Sequence, residues 1–240
     1  MAPAAARADI ALADPRLIIA LDFPGRAQAE AAAETLGESV SFYKVGLQLL
    51  AAGGAELARD LRRTGRQVFC DWKLHDIGAT VEKATAAIAA SEACDLMNVH
   101  AEPQVLAAAA RGRGGSAMKV LGVTVLTSLT DEDLTEIGYG LGVAALVERR
   151  IRQCVEAGVD GVVVSPKEAA LARRLGGPDF LVVTPGVRPA WAGRDDQARI
   201  ETPLEALRAG ASHLVLGRPV TAAADPRTAA LRVVEEMAGA

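Results

Sequence analysis

The feature that most limits what this chain can fold into is an alternation, repeated eight times, of short β-branched and aliphatic runs with longer stretches rich in Ala, Leu, Glu and Arg. Runs of the first kind cover 17–22, 41–45, 67–71, 96–100, 120–125, 161–165, 180–184 and 213–217. Helical periodicity covers 27–37, 53–63, 79–92, 103–111, 141–157, 167–175, 203–209 and 226–237, with several of these stretches closed by Gly. Strands that alternate with helices from end to end form βα units on a parallel sheet. Eight such units in 240 residues match an α/β fold of the TIM (β/α)8 type, built as a single domain. A doubly wound open sheet shares the alternation, but no Gly-x-Gly-x-x-Gly follows the first strand, which weakens its dinucleotide-binding form. No Pro/Ser-rich linker divides the chain, so the expectation is one catalytic barrel over 16–240 behind a frayed N-terminal segment, 1–15.

Composition narrows the function classes. Half the residues are hydrophobic but only 3% are aromatic, so the core is expected to be aliphatic, as in helices packed on a parallel sheet. A net charge of −4 gives no broad positive field, which argues against nucleic acid or an anionic membrane as partner. Nothing approaches the roughly 18 consecutive apolar residues of a membrane span. Cys70, Cys94 and Cys154 are odd in number and each sits in an apolar stretch, which reads as buried thiols without disulfides or a zinc site. The opening segment carries Arg7, Asp9 and Asp14, unlike a signal peptide, and the expected location is the cytoplasm.

Polar residues gather where the strands end. Asp22, Lys44, Asp71, Lys73, His100, Thr124, Thr127, Ser165, Gly217 and Arg218 all fall at or just past the C-terminal ends, the face that carries the active site in a TIM barrel. Ser165, followed by Pro166, reads equally well as a helix cap. The densest group is VFCDWKLHDI, where period-two alternation puts Asp71 and Lys73 on one face and Lys44 of the preceding strand within reach. Two charges alone would read as a structural ion pair; three or four converging on one rim point to chemistry.

The stretches LDF (21–23), YKVGLQ (43–48), DWKLHDIGATV (71–81), TVLTSL (124–129), TPGVRP (184–189) and LGRP (216–219) resemble the orotidine 5′-monophosphate decarboxylase family, in the same order and with similar spacings. The resemblance implies cofactor-free and metal-free decarboxylation of orotidine monophosphate to uridine monophosphate in pyrimidine synthesis. It implies a charged tetrad of Lys44, Asp71, Lys73 and Asp76, with Lys73 stabilising the developing carbanion and protonating C6. It further implies a homodimer in which Asp76 and Thr80 serve the neighbouring subunit's site. Asp22, Lys44 and Thr80 would contact ribose hydroxyls and Thr127 the pyrimidine edge. Gly217, Arg218 and Gln197 would hold the 5′-phosphate, with Arg188 in the same long loop after the seventh strand.

One departure stands out. The family usually has Pro after the Asp-Ile pair, where this chain has Gly78 and Ala79, so the turn presenting Asp76 and Thr80 has wider backbone choices. Two rivals stay open. A magnesium-dependent sugar-phosphate decarboxylase or aldolase of the same superfamily shares Asp-x-Lys-x-x-Asp but tends to carry Glu where Lys44 stands. A non-catalytic nucleotide-binding dimer would keep the barrel and the phosphate site.

Overall fold

A computed structural model describes residues 13–192 and 201–239. Eight parallel strands close on themselves in sequence order, β1 (Leu17–Ala20), β2 (Phe42–Gly46), β3 (Gln67–Leu74), β4 (Leu96–His100), β5 (Lys119–Val123), β6 (Gly161–Val163), β7 (Leu181–Pro185) and β8 (His213–Leu216). Closure is made by β1 against β8, with Leu17 opposite Leu214. Eight strands leave an interior just wide enough for side chains to fill.

Period-two alternation sorts every strand into two faces. Ile18, Ala20, Phe42, Phe69, Leu96, Leu121, Val183 and Val215 point inward and pack together as the barrel's own core. Their neighbours Ile19, Tyr43, Val68, Met97, Val120, Val162, Val182 and Leu214 point outward into a larger core shared with the helices. That outer core takes Ala29, Ala58, Ala108, Ala109, Ala169, Ala172, Ala206 and Ala230 from the helix faces, so small side chains let the helices sit close to the sheet. The core is mostly aliphatic, as expected, but its largest fully buried side chains are the aromatic Tyr43, Phe42 and Phe69.

The helices are α1 (Arg26–Leu36), α2 (Leu47–Leu50), α3 (Gly54–Arg63), α4 (Gly78–Ala90), α5 (Pro103–Arg113), α6 (Asp131–Ile137), α7 (Val143–Ala157), α8 (Ala169–Gly176), α9 (Pro203–Arg208), α10 (Arg218–Thr221) and α11 (Pro226–Met237). Three of them are absent from the sequence-based expectation. α2 and α10 have four residues each, too few to show a period. α6 carries a full capping box, Thr130 with Asp133, but only one buried residue, Leu134, so its apolar stripe is missing.

Residues 1–12 of the expected frayed segment lie outside the described residues; from Asp14 onward the chain is tied to β1, Leu17 N–H donating to the Asp14 carbonyl at 3.0 Å. Cys70, Cys94 and Cys154 are free and buried. No helix among the described residues is long and apolar enough to cross a membrane.

Candidate active site

The inward alternation that builds the apolar layer also builds the site above it. Two residues beyond Phe42, Phe69 and Leu96 come Lys44, Asp71 and Asn98, so the same faces carry apolar side chains inside the barrel and polar ones at its mouth. A cavity of about 320 Å³ opens there, bounded by Asp22, Lys44, Asp71, Lys73, Thr127 and Gly217 among others.

Lys44 is 8% exposed, and its ammonium lies 2.9 Å from Asp22 Oδ1 and 3.3 Å from Asp71 Oδ2. Asp71 Oδ1 accepts from Lys73 Nζ at 2.6 Å and from Asn98 Nδ2 at 2.7 Å. One carboxylate thus sits between two ammoniums, with a third strand's amide behind it. Burial pushes the Asp71 carboxyl up, but Lys44, Lys73 and the hydrogen bonds from Lys73 and Asn98 outweigh it and leave Asp71 below the ordinary carboxylate value. Gly46, two residues past Lys44, keeps this array clear: a Cβ there would lie 2.9 Å from Lys44 Nζ and 3.1 Å from Asp22 Oδ1.

Asp71 and Lys73 do share a side, but β3 does not reach that arrangement as a regular strand. Cys70 pairs with Met97 and Leu74 with Val99, so four steps along β3 face two along β4. The extra residues form a bulge, and Lys73 takes the left-handed region at φ 48°. The strand also runs to Leu74, three residues past the expected end, because the polar residues that seemed to terminate it line the barrel mouth.

Asp76 and Thr80 do not join the other charges. Both are exposed, and the Asp76 carboxylate accepts its hydrogen bond from the Ile77 amide at 2.6 Å. Ile77 beside them is 69% exposed. Gly78 opens α4 in a conformation any residue can adopt, with Ala108 Cβ 3.7 Å from where its own Cβ would be. The glycine there leaves the turn unstrained.

Gly217 borders the cavity and caps α10, whose first residue is the exposed Arg218. Thr127 borders the cavity and also a neighbouring one of about 640 Å³, which reaches Ser165 and Glu168. Ser165 stands at the N-cap position of a short 3-10 turn, but its hydroxyl donates to the Glu168 carboxylate and makes no capping bond to the backbone. Half-buried Arg188 donates its backbone N–H to Glu201 O at 3.2 Å. Gln197 lies outside the described residues. The start of its loop is fastened to α11: Arg232 lies over the Trp191 ring at 4.4 Å, and the Ala190 amide meets Glu236 at 3.3 Å.

Among the described residues, His75, His100 and Glu102 bring possible metal-ligand atoms within 4.8 Å of one another. Their existing contacts define a rim network. The His75 and His100 rings stack at 4.9 Å, Arg150 takes one Glu102 oxygen at 2.9 Å, and His75 Nε2 lies 3.4 Å from the other. In the cavity at the barrel mouth the place between Asp22 and Asp71, where a cation would be drawn, is filled by the Lys44 ammonium.

This geometry can be set against known proteins. The profile described as Orotidine 5'-phosphate decarboxylase / HUMPS family matches residues 15–233. The chain belongs to this family. A curated orotidine 5'-phosphate decarboxylase of Caulobacter sp. (strain K31) is 65% identical over 227 residues, covering 95% of this chain and 99% of that protein. One of Rhodopseudomonas palustris (strain BisB5) is 53% identical over 235 residues, covering 96% and 100%. The crystal structure of orotidine 5'-phosphate decarboxylase from Lactobacillus acidophilus superimposes with a TM-score of 0.82 at 34% identity, covering 93% of this chain and 99% of that one. Family membership and the closed barrel agree with the expectation drawn from the strand-end motifs. Asn98 was not among the residues singled out there. Its signal is a lone amide within the apolar run LMNVH, fully buried in the barrel.

Proposed function

We propose that this protein decarboxylates orotidine 5′-monophosphate to uridine 5′-monophosphate and carbon dioxide in pyrimidine synthesis, acting through its own side chains without metal or organic cofactor. The observation that carries the reading is the Lys44–Asp71–Lys73 array, with both ammoniums within 3.3 Å of one buried carboxylate at the barrel mouth. Loss of carbon dioxide from C6 leaves a lone pair in the plane of the pyrimidine ring, where the ring's π system cannot delocalise it. Stabilisation must come from a fixed charge beside C6, and a preorganised ammonium in a partly dry site is suited to that task. Lys73 holds that charge and then delivers its proton to the carbon.

Asp71 has two possible contributions. Near the departing carboxylate, two unit charges about 4 Å apart at an effective dielectric near 20 repel by roughly 4 kcal/mol, and that repulsion ends as neutral carbon dioxide leaves. The contacts here favour the other contribution, since a carboxylate held between two ammoniums keeps both charged and aimed.

Around this centre, Asp22 and Lys44 take the ribose hydroxyls and Thr127 the pyrimidine edge. Gly217, Arg218, Arg188 and Gln197 hold the 5′-phosphate, the glycine letting backbone amides approach and the arginines offering bidentate donors. Asp76 and Thr80 complete the site of a second copy in a homodimer. Their exposure, and the apolar Ile77 between them, support that assignment. Three buried free thiols suit the reducing cytoplasm as the place of action.

The test follows the ultraviolet absorbance of orotidine monophosphate with purified protein in excess EDTA. Turnover is expected to persist, to vanish in Lys73→Ala, and to leave uridine monophosphate binding largely intact in that variant. Activity lost to EDTA and restored by magnesium would instead support the metal-dependent relatives. Nucleotide binding without turnover in the wild type would support a binding module.

A further inference from the structure

We infer that Asn98 is a positioning residue for the decarboxylation, its carboxamide replacing the strand pairing that the β3 bulge gives up and thereby setting the direction of Asp71 and Lys73. The inference rests on the decarboxylase reading above.

Between the Cys70–Met97 and Leu74–Val99 pairs, β3 has no regular ladder with β4, and the backbone amide of Lys73 needs another acceptor. Asn98 Oδ1 supplies it at 2.8 Å. The other end of the same amide, Nδ2, donates to Asp71 Oδ1 at 2.7 Å. The partners fix which way the group points, because a backbone N–H requires the oxygen and a carboxylate requires the nitrogen. Asn98 is 0% exposed, and an amide in that position is tolerated because both ends are bonded.

Two consequences bear on the reacting groups. Lys73 holds a left-handed backbone that a long side chain adopts only when its surroundings impose it, and the Asn98 oxygen is the contact that imposes it. Asp71 Oδ1 is shared by Lys73 Nζ and Asn98 Nδ2, which leaves Oδ2 turned toward Lys44 at 3.3 Å. Removing the amide frees Lys73 to relax toward an extended backbone and lets Asp71 rotate, while Lys44, Asp22 and the phosphate-binding end stay in place.

The experiment compares wild type, Asn98→Ala and Asn98→Asp by kcat on orotidine monophosphate, by uridine monophosphate affinity and by thermal melting, at about pH 8 and about pH 5.5. Asn98→Ala is expected to lower kcat about 100-fold at both pH values while the nucleotide affinity changes less than about threefold, since misplacement of a reacting group costs rate more than binding. Asn98→Asp keeps an acceptor for the Lys73 amide but sets a second carboxylate against Asp71. That carboxyl faces Asp71 and Lys73 from β3, Lys44 beyond Asp71 from β2, apolar Leu121 from β5, and His100 on its own strand. Like-charge crowding raises the proton affinity of the carboxyl pair, and the protonated acid again donates to Asp71.

The kcat of Asn98→Asp relative to wild type is therefore expected to recover at least about tenfold on acidification, with no such recovery in Asn98→Ala. Should Asn98→Ala fail to fold, the pH response of Asn98→Asp decides alone. The inference is overturned if kcat stays within about threefold of wild type in the folded variants, if nucleotide affinity falls as far as kcat, or if Asn98→Asp shows no acid recovery. A wild type without turnover overturns the decarboxylase reading and the inference with it; an active wild type with unaffected variants overturns the inference alone.

Discussion

Replacing Asp71 with Asn is the most informative single change to the charge array, because it removes one unit of charge and almost no volume. The carboxylate is 14% exposed and meets Lys73 at 2.6 Å and Lys44 at 3.3 Å. At an effective dielectric near 20, each contact is worth roughly 5–6 kcal/mol of gross attraction, much of it offset by the desolvation of the charges. Removing one partner of a buried pair typically costs about 3–5 kcal/mol. Here Lys44 keeps Asp22 and Lys73 is about a quarter exposed, so the lower end, about 3 kcal/mol, is expected.

The assay is urea unfolding at neutral pH, read as a fall in midpoint with an unchanged m value. The pH dependence supplies an internal control. Asp71 titrates below the ordinary value of 3.8, so its contribution is complete above that value and drains away as pH falls through the lowered native value. The stability curves of wild type and Asp71→Asn should therefore converge in acid. A variant within about 0.5 kcal/mol of wild type at neutral pH, the range of an ordinary surface substitution, would refute the claim that Asp71 is the shared counter-charge.

Mixing Lys73→Ala with Asp76→Asn subunits should restore about a quarter of wild-type activity after exchange, because half the dimers are mixed and each mixed dimer holds one intact site; no recovery on verified exchange would count against sharing of Asp76. Gly78→Pro should stabilise the protein by about 0.4–1 kcal/mol in thermal or urea unfolding, since Gly78 is the first residue of α4 and Ile77 before it is extended at ψ 147°, and both positions accept proline geometry. Burial holds His213 at about 4, so the unfolded chain binds its proton first and stability should fall as pH drops from about 6.5 toward 4; His213→Gln should flatten that part of the curve.

The barrel was legible because its evidence in the chain is local and repeated. Each strand from β1 to β8 announces itself by a short apolar run, and Ala-rich periodicity marks most of the helices between. The ends of elements were harder to read where polarity has two meanings. Asp71, Trp72 and Lys73 look like the close of β3, yet a barrel mouth is polar, and the strand continues through them to Leu74. α6 begins with a clear capping box but contributes one buried leucine, so the hydrophobic pattern that identifies longer helices is lacking.

The charged site was readable only as a set of partners. Alternation along β3 predicts a shared face for Asp71 and Lys73, which do meet but across a bulge rather than along a regular pleat, and the strand-end position of Lys44 adds the second ammonium. What holds Lys73 in place is a mismatch between two strands: three residues of β3, Asp71 to Lys73, set against one of β4, the lone Asn98. Neither strand carries that information by itself. Asn98 in isolation is an awkward amide in an apolar run, and the bulge in isolation is a stretch, Asp71 to Lys73, with no ladder partner in β4. Once they are paired, each meets a requirement of the other: the amide finds a donor and an acceptor, and the left-handed Lys73 finds the contact that keeps it there. The precision of the proposed proton donor thus derives from β4, a strand that places no charged side chain in the array.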